Sequence, residues 1–294
     1  MRLEAGTYHT LTVEREVSPN GYYLGNEEEE VLLHYSEIEG SIELDDELEV
    51  FLFMDTKDRL AATMKKPFLA LGETAKLEVV EIHPRLGMFL DMGLSRHLLL
   101  PYRQLPEEEE FRPHTGDWVF VQMSQDKQGR LIARMAGEEE LSSLAFPAPA
   151  AWKHTRRQAT VYKTLKMGSF VICEGEPVGF GVIGLIHEDE RTRPLRVGET
   201  LEVRITHVRE DGRVNASMRE AKEVSRNVDA ESLLAFLESR PNGSMPYSDE
   251  TPADIILSRF QISKAAFKRA IGKLMKEGKV RQEGSWTYLI REEE

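Results

Sequence analysis

A single cysteine, Cys173, stands in a chain of 294 residues, so no intramolecular disulfide and no cysteine-based zinc site can form. No apolar run approaches the ~20 residues needed to span a bilayer. At the start, Glu4 sits where a secretory leader would place bases ahead of an apolar stretch. There is no Walker A loop and no Gly-x-Ser-x-Gly elbow, and no His/Asp/Glu group has metal-ligand spacing. These absences predict a cytoplasmic protein that is not an enzyme, with no cofactor, metal, small-molecule ligand or membrane partner. Two fragments imitate catalytic motifs. Gly179, Gly181 and Gly184 spell the dinucleotide fingerprint, but Pro194 follows within ten residues of Gly184, where that motif needs a helix. His187-Glu188 begins a zincin pattern and then offers Arg191 in place of the second histidine.

Positive charge is also short, and unevenly so. The chain carries 38 Lys/Arg against 51 Asp/Glu, a net charge of −13. Residues 1–66 hold 6 bases against 16 acids, and residues 67–150 hold 8 against 13. Residues 151–224 hold 13 against 11, and residues 225–294 hold 11 of each. A polyanion is therefore expected to meet the C-terminal half first.

What the sequence does have is a repeat. Gly-x-aromatic-aliphatic occurs at Gly21 to Leu24, Gly87 to Leu90 and Gly168 to Val171. An apolar pair then runs into a polar corner at Leu32-Leu33-His34, Leu99-Leu100-Pro101 and Leu185-Ile186-His187. An acidic turn opens an alternating strand at Asp46, Asp117 and Glu199, and each unit closes on Arg-[Leu/Val]-x-Ala-x-Met beginning at Arg59, Arg130 and Arg213. Within units the period is two, as in Leu201, Val203 and Ile205, with turns at Asn20-Gly21, Gln128-Gly129 and Asp211-Gly212. Units of this size with short strands predict small closed barrels. The boundaries fall at 1–66, 67–145 and 152–222. The break at Lys66-Pro67 and the Pro/Ala segment from Phe146 to Ala151 read as linkers.

The order Gly-x-aromatic-Val, Leu-Ile-His-x-x-Glu, Val-Gly-Glu-x-Leu-x-Val and Glu-Asp-Gly-Arg-Val-x-x-Ser in the third unit resembles the S1 RNA-binding domain, an OB-fold barrel. The first two units are more divergent. In S1 domains one face holds single-stranded RNA, and the resemblance places Phe170, His187, Arg213 and Lys166 on it in unit three. It places Tyr23, His34 and Arg59 there in unit one. In unit two it leaves Phe89 and Arg130, because Pro101 takes the histidine position. Bases stack on aromatic rings and arginines hold phosphates, so the residue types suit the task. The departures are Asn20, Leu86 and Met167, which stand where S1 domains often carry a further aromatic, and the acidic run Glu27 to Glu30, which repels phosphate. Taken singly, the aromatics serve equally well as core, the histidines as turn ligands and the glycines as packing devices.

From about residue 226 the period changes to 3.6. One helix opens near Asp229 and stops at Arg240-Pro241-Asn242-Gly243; a second starts at Thr251-Pro252, with Thr251 as cap; a third runs from Ser263 to Gly278. A hairpin follows around Glu283-Gly284-Ser285. Three helices and a hairpin give the winged-helix order over 226–294. The third helix sets Phe267, Ala270, Ile271 and Leu274 on one face and Lys264, Lys268, Arg269, Lys273 and Lys276 on the other. That element usually contacts nucleic acid, although a basic helix face is also common as plain solvated surface.

Three tandem S1-type barrels followed by a winged helix, mainly β with a C-terminal α+β domain, is similar to the bacterial conserved virulence factor B family. The resemblance implies RNA binding and control of gene expression. The expected partner is single-stranded RNA, held by the third barrel and the winged helix. Duplex DNA held by the winged helix, or a basic protein docked on the acidic N-terminal half, are the alternatives. Against DNA, the wing carries no base after Arg281 for a minor-groove contact.

Overall fold

The computed structural model describes residues 2–26, 29–175, 180–220 and 222–290; Glu27, Glu28 and Gly179, singled out above, lie outside them. The chain divides into two compact units, residues 1–219 and 220–294.

The first unit contains three closed five-stranded barrels. The first is built from β1 (Tyr8–Val17), β2 (Gly21–Gly25), β3 (Glu30–His34), β4 (Glu47–Met54) and β5 (Leu60–Thr63). They close in the order β1-β2-β3-β5-β4, with β3 and β5 parallel and the other pairs antiparallel. The second uses β6 (Thr74–His83), β7 (Gly87–Leu90), β8 (Leu98–Pro101), β9 (Trp118–Gln125) and β10 (Leu131–Met135). After a short helix α1 (Glu138–Leu144), the third uses β11 (Arg156–Leu165), β12 (Gly168–Cys173), β13 (Val182–His187), β14 (Thr200–Val208) and β15 (Val214–Ser217). Gly184 of the imitation fingerprint thus lies in a strand.

The repeated motifs have physical causes. Each first strand shifts register once, between Val13 and Arg15, Val79 and Glu81, and Val161 and Lys163. A bulge bends a strand, which lets one long strand pair with two neighbours and close the barrel. The motif glycine starts the second strand. At Gly21 and Gly87 φ is +148° and +142°, and an added Cβ would lie 2.0 and 2.1 Å from the carbonyl oxygens of Leu33 and Leu100. No side chain fits between those strands.

Some strands are apolar on both faces, and these dock the barrels. On β4, Val50 and Leu52 belong to the first barrel's core, while Phe51 and Phe53 join the core of the second. On β9, Val119 and Val121 point inward. Phe120 points out and packs with Ala136, Tyr162, Ile172 and Ile183 across the second and third barrels. Full burial of one such ring is worth about 1.5–3 kcal/mol. Backbone bonds join the same junctions, from Leu71 N to Gly6 O at 2.8 Å and from Trp118 N to Gly198 O at 3.0 Å.

The Pro/Ala segment expected as a linker is not a loose tether. Phe146 N and Ala148 N donate to Gly181 O and Gly212 O of the third barrel at 3.1 and 2.8 Å. Phe146 meets Trp152 edge-on, and the Arg157 guanidinium lies 4.4 Å from the Trp152 ring centre.

The second unit carries α2 (Lys222–Glu238), β16 (Ser244–Met245), α3 (Ala253–Phe260), α4 (Lys264–Lys276), β17 (Val280–Glu283) and β18 (Trp286–Leu289). The strands form a sheet in the order β16-β18-β17. Phe267, Ala270, Ile271 and Leu274 are buried against Leu233, Leu237 and Ile256. Two boundaries differ from the expectation. The first helix begins at Lys222, ahead of Asp229. The second begins at Ala253, because the Thr251 hydroxyl accepts from Ser248 N within the preceding turn and Pro252 takes the cap position. Ser263 caps α4 as expected, its hydroxyl accepting from Ala266 N at 3.2 Å.

Candidate nucleic-acid interface

The alternation of each second and third strand decides which residues face outward. On β12, Val171 and Cys173 fill the third barrel, so Phe170 and Ile172 point away from it. On β13, Val182 and Ile186 point inward, so Ile183, Leu185 and His187 share the outer side with Phe170, which pairs with Leu185. Asn215 of β15 lies next to Leu185. Phe170, His187 and the hairpin bearing Arg213 are therefore brought to one face. Lys166 is exposed on the β11–β12 turn, where its carbonyl accepts from the Arg191 guanidinium at 2.8 Å.

Part of that face is covered. Helix α1 lays Leu141, fully buried, onto Phe120, Tyr162, Ile172 and Ile183, and half-buried Phe170 packs at the rim with its ring 6.1 Å from Tyr162. Glu138 of the same helix holds Arg213 at 2.6 Å. The helix is fixed in turn by Glu140, which accepts from Gly137 N at 2.9 Å and pairs with Arg134 at 2.6 Å. A hydrogen bond from its own backbone amide, joined by those from Arg134 and the Gly137 amide, holds the Glu140 pKa below the usual value against the opposing effect of burial.

The closing arginines differ between barrels. In the first two, an aspartate four residues earlier closes the hairpin. Asp55 N donates to Arg59 O, and Asp126 N to Arg130 O, at 2.8 and 2.9 Å. Each carboxylate then pairs with its arginine, at 2.6 and 2.7 Å, and accepts from two backbone amides. Burial works to raise the Asp55 pKa, but the Arg59 hydrogen bonds and the amides outweigh it and bring it down to about 2. In the third barrel the same backbone bond runs from Arg209 N to Arg213 O at 2.8 Å. A second guanidinium thus stands where the other hairpins place a carboxylate. Arg209 and Arg213 share Asp211, at 2.9 and 3.9 Å.

The histidines act on their turns. His34 Nδ1 accepts from Ser36 N, and His187 Nδ1 from Asp189 N, at 3.2 and 3.3 Å. Both rings remain exposed. In the first barrel Tyr23 is occupied from outside by Arg15, whose guanidinium lies 4.1 Å from the ring centre and is gripped by Glu30 at 2.6 Å. In the second, Phe89 and Arg130 line a cleft of about 490 Å³ with Leu86, His97 and Asp58.

On α4, the basic side chains surround a buried apolar stripe as expected. Lys268 reaches Asp249 at 3.6 Å, Lys273 reaches Glu277 at 3.2 Å, and Lys264 contacts Glu250 O at 3.5 Å. Arg269 acts on Asp229, where burial is the larger influence and raises the carboxyl pKa. Lys276 is exposed in the last turn. Sequence reasoning missed three residues at these surfaces: Arg209, Trp286 and Tyr288. Arg209 was detectable by aligning the hairpins at the residue four before each closing arginine. The aromatics were detectable from the wing's alternation around buried Thr287.

Among the described residues no helix is long and apolar enough to cross a membrane. Family models match in chain order: an S1 domain over residues 5–65, the first S1-like domain of CvfB over 75–134, the second domain of virulence regulatory factor CvfB over 141–220, and a CvfB-like winged helix domain over 231–289. The uncharacterized protein YitL of Bacillus subtilis is 40% identical over 286 residues, covering 97% of this chain and 94% of that one. Conserved virulence factor B of Staphylococcus epidermidis is 30% identical over 257 residues, covering 86% and 84%. A solved multidomain protein with nucleic acid binding domains from Streptococcus pneumoniae is 28% identical, with a TM-score of 0.65 over 97% of this chain and 98% of that one.

Proposed function

The chain belongs to the conserved virulence factor B family, and from that premise we propose that it binds single-stranded RNA through the third barrel and the winged helix and so acts on gene expression after transcription. Its S1-type and winged-helix domains are nucleic-acid-binding types. The observation that carries the choice of barrel is the third hairpin, where Arg209 joins Arg213 in place of a closed Asp–Arg pair. The counterions there are displaceable: the Arg213 and Glu138 side chains are 35% and 49% exposed, and exposed ion pairs contribute about 0–1 kcal/mol. Phe170 and His187 stand on the same face, and Lys166 is exposed on the turn beside His187. The first two barrels act as spacers, because there the arginine's partner is a mostly covered carboxylate, Asp55 or Asp126, that two backbone amides also hold in place.

The test is fluorescence anisotropy of the full chain on an unstructured RNA strand and a duplex DNA of equal length, at low and high salt. RNA is expected to bind more tightly, with strong salt dependence. Arg209→Ala with Arg213→Ala should flatten the salt slope by about 1.4, the value for two phosphate contacts on a single strand. Preference for duplex DNA, with Lys268→Ala alone weakening it, would replace this reading with a DNA regulator. Binding to neither would leave a protein-interaction scaffold.

A further inference from the structure

The outer face of the wing is aromatic. On β17 and β18, Val280 and Thr287 point to the core, and the Thr287 hydroxyl donates to Tyr247 O at 2.7 Å. This anchoring turns Arg281, Glu283, Trp286 and Tyr288 to the other side, with Arg281 opposite Tyr288 and Glu283 opposite Trp286. The Trp286 and Tyr288 rings are stacked, with centres 6.4 Å apart and planes at 26° to each other. Trp286 is 41% exposed and takes no part in the domain's hydrophobic core. The Arg281 guanidinium lies 5.0 Å from the Tyr288 ring centre and is held by Glu283. Lys279, also exposed, precedes it.

We propose that Trp286 and Tyr288 form a stacking platform for two unpaired bases of an RNA strand whose phosphates run toward Arg281 and Lys279. The inference rests on the reading of the chain as a single-stranded RNA binder and adds a site to it. Exposed Trp286 and half-buried Tyr288, with ring planes 26° apart, offer π-faces to flat ligands, and the Arg281 guanidinium over the Tyr288 ring suits an anionic chain. In a duplex both faces of each internal base are covered by neighbours, so such a platform selects unpaired strands. A wing without a basic tip is poorly equipped to follow a minor groove, and an aromatic wing is suited to this different task.

The experiment uses the full chain and two labelled strands of equal length, an unstructured oligoribonucleotide and its abasic counterpart. Trp286→Ala should weaken the base-bearing strand about ten- to a hundredfold, the range for loss of one stacked base. It should leave the abasic strand and the salt slope unchanged. Trp286→Phe should retain most of the affinity, and Tyr288→Ala should reproduce the loss. Circular dichroism melts confirm that the variants fold. Wild-type affinity in Trp286→Ala, or an equal loss on the abasic strand, overturns the platform while leaving the RNA reading intact. Failure of the wild-type chain to bind either strand overturns both.

Discussion

Replacing Glu138 with glutamine should increase RNA affinity, because that carboxylate competes with phosphate for Arg213. The pair is 2.6 Å long and its side chains are 35% and 49% exposed. Such a pair is worth about 0.2–1 kcal/mol, so Glu138→Gln should lower stability by less than about 1 kcal/mol. A phosphate on Arg213 would also feel the carboxylate directly. At ~7 Å in water the repulsion is about 0.6 kcal/mol before screening. The two effects together give about a two- to tenfold gain in affinity, larger at low salt than at high. Anisotropy titration of the full chain at two salt concentrations measures it. Glu139→Gln is the control: Glu139 carries the same charge on the same helix turn, is exposed and is not Arg213's partner. The reasoning is refuted if both variants gain equally, or if the Glu138→Gln gain persists in an Arg213→Ala background. Either result would mean that the carboxylate does not act through that arginine.

Two other predictions concern the fold. Burial pushes the Cys173 thiol up to about 12, against a smaller opposing influence of Arg157. At pH 8 about one part in ten thousand is then thiolate, compared with roughly a quarter for a free thiol. Labelling with a chromogenic disulfide should be slower than for free cysteine by at least about three orders of magnitude until denaturant opens the third barrel; rapid labelling of the native chain would contradict its placement. Gly87→Ala should cost several kcal/mol or abolish folding, since its Cβ would meet the Leu100 oxygen at 2.1 Å and the backbone is at φ +142°. Alanine at Gly116, which also has positive φ but meets nothing within 4 Å, should cost only about 1–2 kcal/mol in chemical denaturation.

The repeat made the barrels legible because each motif answers a steric need. Gly21 and Gly87 have no room for a side chain, and alternation on each strand separates inside from outside. The winged helix was legible from the buried stripe of α4. Helix α1 was not. At seven residues it is too short to display a period, and its three glutamates mark no buried face. Its role depends on Leu141, a single apolar residue whose partners lie on two barrels. The same limit applies to the candidate face: the sequence grouped Phe170, His187 and Arg213, and the repeat also carried Arg209 in the place of Asp55 and Asp126, while the cover over part of that face came from tertiary placement.

The strands that are apolar on both faces have a consequence in time. A ribosome delivers barrel one first, and Phe51 and Phe53 then project from a finished barrel, Phe51 met only by the edge of Tyr8, until the strands of the second, ending at Met135, have emerged. Phe120 meets the same delay until β13 brings Ile183. At about 5–20 residues per second each interval lasts several seconds, with aromatic surface open to other chains. Each of the first two nascent barrels is thus a complete fold with an unfinished exterior, and the next barrel to be made serves as its chaperone.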